Sequence, residues 1–211
     1  MADLHDQTAD ATRASDSSAS TWRWTLGSGV LTILLALIAF WLPEIDWLPR
    51  ASLVGWLLLV AGVAELALGS RRGSDSVARA ALWSGAITSA AGLLFVLRPS
   101  SAYFPVANVI LLWLLVRGAS VLAIAAWTEN RRSGLWLGLG GLVDLILAAL
   151  MIAGLPLTGL VVAMFGPTPE VVARFALFLA ASFAATGVSQ IAIALIQRDR
   201  APLTRQASST G

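Results

Sequence analysis

The chain of 211 residues contains no cysteine and no lysine, and its single histidine is His5. Without cysteine there is no disulfide, thiol nucleophile or thiolate-bound metal. With one histidine in a polar terminal stretch, the common zinc and haem ligand sets and the usual neutral-pH proton carrier are missing as well. Charge is scarce: 12% of residues are Asp, Glu, Lys or Arg, about half the share in a soluble globular chain. Also missing are a Ser-His-Asp set, an HExxH motif, paired catalytic carboxylates and a phosphate-binding loop. These gaps argue against an enzyme and predict no cofactor and no metal. Net charge is only +2, and the arginines are spread along the chain rather than gathered on one surface, so no nucleic-acid partner is expected.

What is present is apolar and comes in long runs. The chain is 57% hydrophobic with mean hydropathy +0.79. Uncharged runs near 20 residues read as transmembrane helices, because lipid offers no partner for open backbone groups. Six spans are predicted, at about 24–42, 51–69, 80–97, 106–127, 134–153 and 172–196. The fold class is therefore an all-α integral membrane bundle of six transmembrane helices in the lipid bilayer. Residues 1–20 and 201–211 are polar and read as disordered tails flanking a membrane domain over 21–200. The acidic start and the late first apolar run do not resemble a signal peptide. The apolar, proline-bearing segment 155–170 is expected to extend the fifth helix, lie along the interface as a lid, or dip back into the membrane.

Arginine placement sets orientation. Arg13, Arg23, Arg71, Arg72, Arg79, Arg131, Arg132, Arg198, Arg200 and Arg205 fall on one side of the spans, against Arg50, Arg98 and Arg174 on the other. The excess of basic residues on cytoplasmic faces predicts that both termini are cytoplasmic.

The chain repeats internally. Gly29, Gly85 and Gly141 open the stretches GVLTILLALIAFWLP, GAITSAAGLLFVLRP and GLVDLILAALMIAGLP at intervals of 56 residues, and Pro43 and Pro99 keep the same interval. Gly62 and Gly118 repeat it in the second helix of each unit, and Gly187 follows after 69. The unit is a helical hairpin used three times (about 24–72, 80–132 and 134–200). A unit with an even number of spans keeps its orientation, so the three repeats are parallel. GLWLGLGG (134–141) and AASFAATG (180–187) are small-residue faces suited to close helix packing, within the chain or in a homo-oligomer.

Three ionisable residues fall inside the spans: Arg117, Asp144 and Glu65. A charge at mid-membrane costs roughly 2.5–3.5 kcal/mol on insertion scales, so it needs a partner. Arg117 and Asp144 share a level on helices joined by a short loop and are expected to pair. Glu65 lies about 7 Å nearer the arginine-rich side and is expected to snorkel toward that interface. If buried and unpaired, it would instead be a group able to take up a proton. Ser189 and Gln190 are expected to hydrogen-bond to a neighbouring helix. Asp144 matches Thr32 and Thr88 in the other repeats, and Glu65 matches Val121 and Gln190, so the charges break the pseudosymmetry and do not form a threefold ion ring. The charged residues fit either a structural pair that fixes register or the lining of a route for a proton or small solute.

Three hairpins with glycine in the first helix, proline after it, arginines behind the second and GLVDLILAAL in the third unit together resemble the HdeD-like acid-resistance membrane proteins. These form a bacterial family built from a short membrane repeat of unknown function. The resemblance covers about 24–200, and Asp144 stands where that family often carries an aspartate. It implies a non-enzymatic multi-pass protein of the bacterial plasma (inner) membrane that contributes to acid or envelope stress tolerance, structural or binding a membrane partner. A proton or small-solute transporter or channel using Arg117, Asp144 and Glu65 is the competing expectation, and a membrane enzyme or accessory subunit is the third.

Overall fold

The computed structural model describes residues 2–41, 50–71, 76–97, 103–165 and 169–209, and it is helical almost throughout. Among the described residues six helices follow one another: α1 (Ala2–Trp41), α2 (Arg50–Arg71), α3 (Ser76–Leu97), α4 (Tyr103–Ala126), α5 (Arg131–Phe165) and α6 (Pro169–Ser209). Each contains a stretch of 20 to 25 residues apolar enough to cross a membrane. The spans agree with the sequence reading to within a few residues. The helices at the two ends are longer than their spans: α1 starts at Ala2 and α6 runs to Ser209. No glycine or proline interrupts the chain before Gly27, so nothing stops the helix of the first span from continuing backwards through the alanine-containing polar stretch. Of the three expectations for the segment 155–170, extension of the fifth helix holds as far as Phe165.

The turn between α4 and α5 lies wholly within the described residues. Backbone bonds from Trp127 to Ile124 and from Thr128 to Ala125, both 3.2 Å, tighten the end of α4 in the 3₁₀ manner. The Thr128 hydroxyl donates to the same Ile124 carbonyl at 2.8 Å. Asn130 then caps α5, its carbonyl accepting from the Gly134 N–H at 2.8 Å.

The helices form a closed ring in chain order, with α6 returning to α1. Contacts alternate in closeness. The intimate pairs are α2–α3, α4–α5 and α6–α1, while α1–α2, α3–α4 and α5–α6 touch more loosely. Close packing therefore joins the second helix of each sequence unit to the first helix of the next, across the unit boundary. The landmark glycines explain this. Gly62 faces Gly85, Gly118 faces Gly141, and Gly187 faces Gly29: a Cβ on one member would stand 2.8 to 3.0 Å from the carbonyl oxygen of the other. Only hydrogen fits in that space, so the backbones approach closely. In α2–α3 the contact extends in both directions at seven-residue steps, Gly55 against Gly92 and Gly69 against Ala78. This antiparallel register places the arginine-rich ends of all six helices together.

Polarity is inverted relative to a water-soluble bundle. Leu34, Leu37, Trp56, Leu112 and Leu150 point outward and are each at least half exposed, whereas Glu65, Arg117 and Asp144 are 3%, 3% and 1% exposed. Apolar surface on this scale around a charged interior requires lipid rather than water outside. Inside, the half of the bundle away from the arginine-rich end is filled by Leu58, Ile110, Trp113, Leu114, Leu179 and Phe183 with their neighbours. A smaller apolar collar of Ala80, Leu137 and Ile193 lies toward the arginine-rich end.

Candidate functional site: a buried guanidinium between two carboxylates

The Gly118–Gly141 contact brings α4 and α5 together just where Arg117 and Asp144 project inward. Arg117 Nη1 donates to Asp144 Oδ2 at 2.5 Å. The expected pair is thus formed. Glu65 departs from expectation: its carboxylate does not reach for the interface but turns into the bundle, where Oε1 accepts from Arg117 Nη2 at 2.9 Å. Two facts explain the difference. The Gly62–Gly85 contact draws α2 inward three residues before Glu65, and an arginine side chain is long enough to span the difference in level.

Hydroxyls complete the shell. Ser84 Oγ accepts from Arg117 Nε at 2.8 Å and donates to Glu65 Oε2 at 2.5 Å. Ser182 Oγ accepts from Nη1 at 3.4 Å and donates to Asp144 Oδ1 at 2.5 Å. Thr186 Oγ1 accepts from Nη2 at 3.0 Å and passes its own proton to the Ser182 carbonyl at 2.8 Å. The guanidinium offers five N–H donors, and five acceptors meet it. Each carboxylate oxygen likewise receives a donor. A cluster satisfied this fully is rigid and holds α2, α3, α4, α5 and α6 in fixed relation.

Below the guanidinium, on the apolar side, its carbon lies 5.5 Å from the centre of the Trp113 ring. Trp113 is itself fixed, edge-on to Phe183 at 6.1 Å and donating from Nε1 to Thr88 Oγ1 at 3.0 Å. Thr88 is the repeat counterpart of Asp144. Both equivalent positions therefore bind a side chain from α4, one ionically and one by a neutral bond. Trp113→Phe is expected to lower stability by about 1–3 kcal/mol by leaving the Thr88 hydroxyl buried without its donor, and thermal unfolding in detergent measures it.

Ser84, Ser182 and Thr186 were not singled out from the sequence. A signal was present: Ser84 precedes the landmark Gly85, and Ser182 and Thr186 are four apart within the small-residue face 180–187. Among the described residues, Ser189 and Gln190 are not seen to make the interhelical bonds expected of them. Ser189 Oγ donates to the Ala185 carbonyl of its own helix at 2.8 Å, and Gln190 Oε1 is buried without a hydrogen-bond partner. The intrahelical bond to residue i−4 needs no neighbour and wins for serine. Gln190 faces a space instead.

That space is a cavity of about 60 Å³ on the arginine-rich side of the cluster, lined by Glu65, Arg117, Asp144, Thr25 and Gln190 and bounded by the apolar collar. A volume of this kind holds a few water molecules. The carboxylates therefore border a small polar-edged cavity on one side and packed side chains on the other. Among the described residues, no group of three His, Cys, Asp or Glu side chains is placed to hold a metal ion.

The inverted polarity, the six spans and the repeated glycine contacts define a multi-pass membrane protein built from a repeated helical unit. The chain matches the family described as a short repeat of unknown function (DUF308) twice, over residues 27–97 and 83–153. Both ends of the match shift by the 56 residues that separate the landmark glycines. The two matches together span more than half of the chain, which belongs to that family. No curated protein and no solved structure gives a significant match.

Proposed function

We propose that the protein is a non-enzymatic, HdeD-like protein of the bacterial plasma membrane, with both termini cytoplasmic, that contributes to acid or envelope stress tolerance by binding a proton inside the bundle. One observation carries this reading: two carboxylates share one guanidinium. With all three ionised the cluster holds a net charge of −1 in a low-dielectric interior, where an uncompensated charge is costly. One proton on either carboxylate makes the cluster neutral. The cavity lies against both carboxylates and toward the arginine-rich ends, which supports entry from the cytoplasmic side. A bundle that gains or loses this proton changes the bonds linking five helices, and a membrane partner or second copy contacting those helices would register the change.

Infrared difference spectra across an acid step are expected to show a protonated carboxyl band that moves or vanishes in Glu65→Gln or Asp144→Asn. Spectra identical in wild type and both variants would overturn the reading. The cavity also favours a second reading, transport of a proton or small solute past Arg117, Asp144 and Glu65. The apolar packing of Leu58, Ile110, Leu114 and Phe183 beyond the cluster weighs against a continuous route. Liposomes subjected to a pH step decide between the two: the first reading expects no flux above that of empty liposomes, and a flux abolished by Asp144→Asn establishes the second.

A further inference from the structure

The three close helix pairs are not alike on their lipid-facing side. In the α2–α3 pair Leu82 lies over Gly69, so tightly that a Cβ on Gly69 would meet the Leu82 side chain at 2.6 Å. The repeat counterpart of Leu82 is Leu26 in the first copy and Gly138 in the third, each displaced by 56 residues. At Gly138 nothing fills the site. The nearest atoms to a Cβ there are those of Ala125 and Leu122, at 3.6 and 3.8 Å. The result is a groove of about 470 Å³ between α4 and α5, walled by Leu122, Ala125, Ala126, Gly138, Leu139 and Leu142, with Arg131 at its end.

Dimensions and charge both point to one occupant. From Arg131 to Leu142 is eleven residues, or about 16 Å of helix, close to half of the roughly 30 Å hydrocarbon core. The groove thus runs from the membrane surface to the midplane, the reach of an acyl chain in one leaflet. Arg131 at its mouth has no carboxylate partner among the described residues, and Arg132 follows it. Glu129 in the same turn leaves the pair of arginines in excess. Trp127 beside the groove mouth is 86% exposed, the placement of a side chain at headgroup level. We propose that this groove is a binding site for an anionic phospholipid of the arginine-side leaflet, with one acyl chain along Gly138 and the phosphate at Arg131.

Native mass spectrometry of the full chain, released from detergent in the presence of matched phosphatidylglycerol and phosphatidylcholine, tests this. The wild type is expected to retain one phosphatidylglycerol in preference to phosphatidylcholine. Gly138→Leu is expected to abolish that retention while helicity and thermal unfolding are kept, because leucine already occupies this repeat position twice. Ala126→Phe, which fills the groove from its α4 wall, is expected to do the same and keeps the test valid should Gly138→Leu fold poorly. Arg131→Gln is expected to lower the preference for phosphatidylglycerol about fivefold, the share of one interfacial cation. Retention unchanged in the groove-filling variants, equal retention of the two lipids by the wild type, or a wild-type dimer that the groove-filling variants dissolve would each overturn the proposal, the last by making a second copy of the chain the occupant.

Discussion

Glu65→Gln and Asp144→Asn are each expected to be tolerated singly and to be severely destabilising together. Either single change leaves Arg117 with one carboxylate, Asp144 at 2.5 Å or Glu65 at 2.9 Å, and removes the surplus negative charge. Each amide also keeps an oxygen acceptor. A loss of about 1 kcal/mol or less is expected for each, the scale of one neutral hydrogen bond. The double variant strands a guanidinium among Ser84, Ser182 and Thr186 with no counter-ion, a situation that costs about 3–5 kcal/mol. The resulting coupling, about 1 kcal/mol at the least, follows from two acids sharing one base. Arg117→Ala, which leaves both carboxylates without a cation, belongs with the double variant. Reversible unfolding in detergent of the four members of the cycle measures the coupling, and additive losses would remove the shared-partner account. The sequence alone pairs Arg117 with Asp144 and turns Glu65 away toward the interface. The second carboxylate in the structure reverses that expectation.

Gly85→Leu is expected to disrupt the fold more than any substitution on the lipid-facing surface. Its Cβ would stand 2.7 Å from the Leu66 backbone nitrogen and 2.8 Å from the Gly62 carbonyl oxygen. Both are backbone atoms of a helix and cannot swing aside, so α2 and α3 must separate. Overpacking costs about 1–3 kcal/mol where side chains can adjust, and more is expected here. Separation also withdraws Glu65 and Ser84 from Arg117, since both stand within three residues of the contact. Gly118→Leu and Gly187→Leu, at the equivalent contacts, are expected to fail similarly. Gly27→Ala is the control: nothing lies within 4 Å of its Cβ, and alanine favours the helix by up to about 1 kcal/mol. Folded yield on size-exclusion chromatography separates these outcomes, and normal yield of Gly85→Leu would show that the close contact is dispensable.

Much of this architecture is legible in one dimension because lipid imposes it. Six long apolar runs read as helices where the surroundings offer no hydrogen bonds, and the 56-residue glycine interval marks the repeat that the family match reproduces. The same interval, with the glycines Gly62, Gly118 and Gly187, identifies which residues touch across helices without showing that they touch across unit boundaries. The hairpin units read from the repeat divide the chain at its closest contacts, because a repeat period reports sequence order and packing distance depends on side-chain size. Glu65 illustrates the limit. Its level along α2 suggested an interfacial carboxylate, and helical rise contains no information about which way the side chain turns.

The sequence by itself determined the number of spans, the shared arginine-rich end and the need of Arg117 for an acid, which follow from the cost of polar and charged groups in hydrocarbon, and the period of the repeat, which is written in the spacing of its glycines and prolines. Only the tertiary structure decided that two acids and three hydroxyls meet that guanidinium, that a cavity adjoins them on one side, and that Gly138 opens a groove where Leu82 closes one. Those facts depend on how far apart two helix backbones lie and on the angle between them, quantities set by packing between residues distant in the chain.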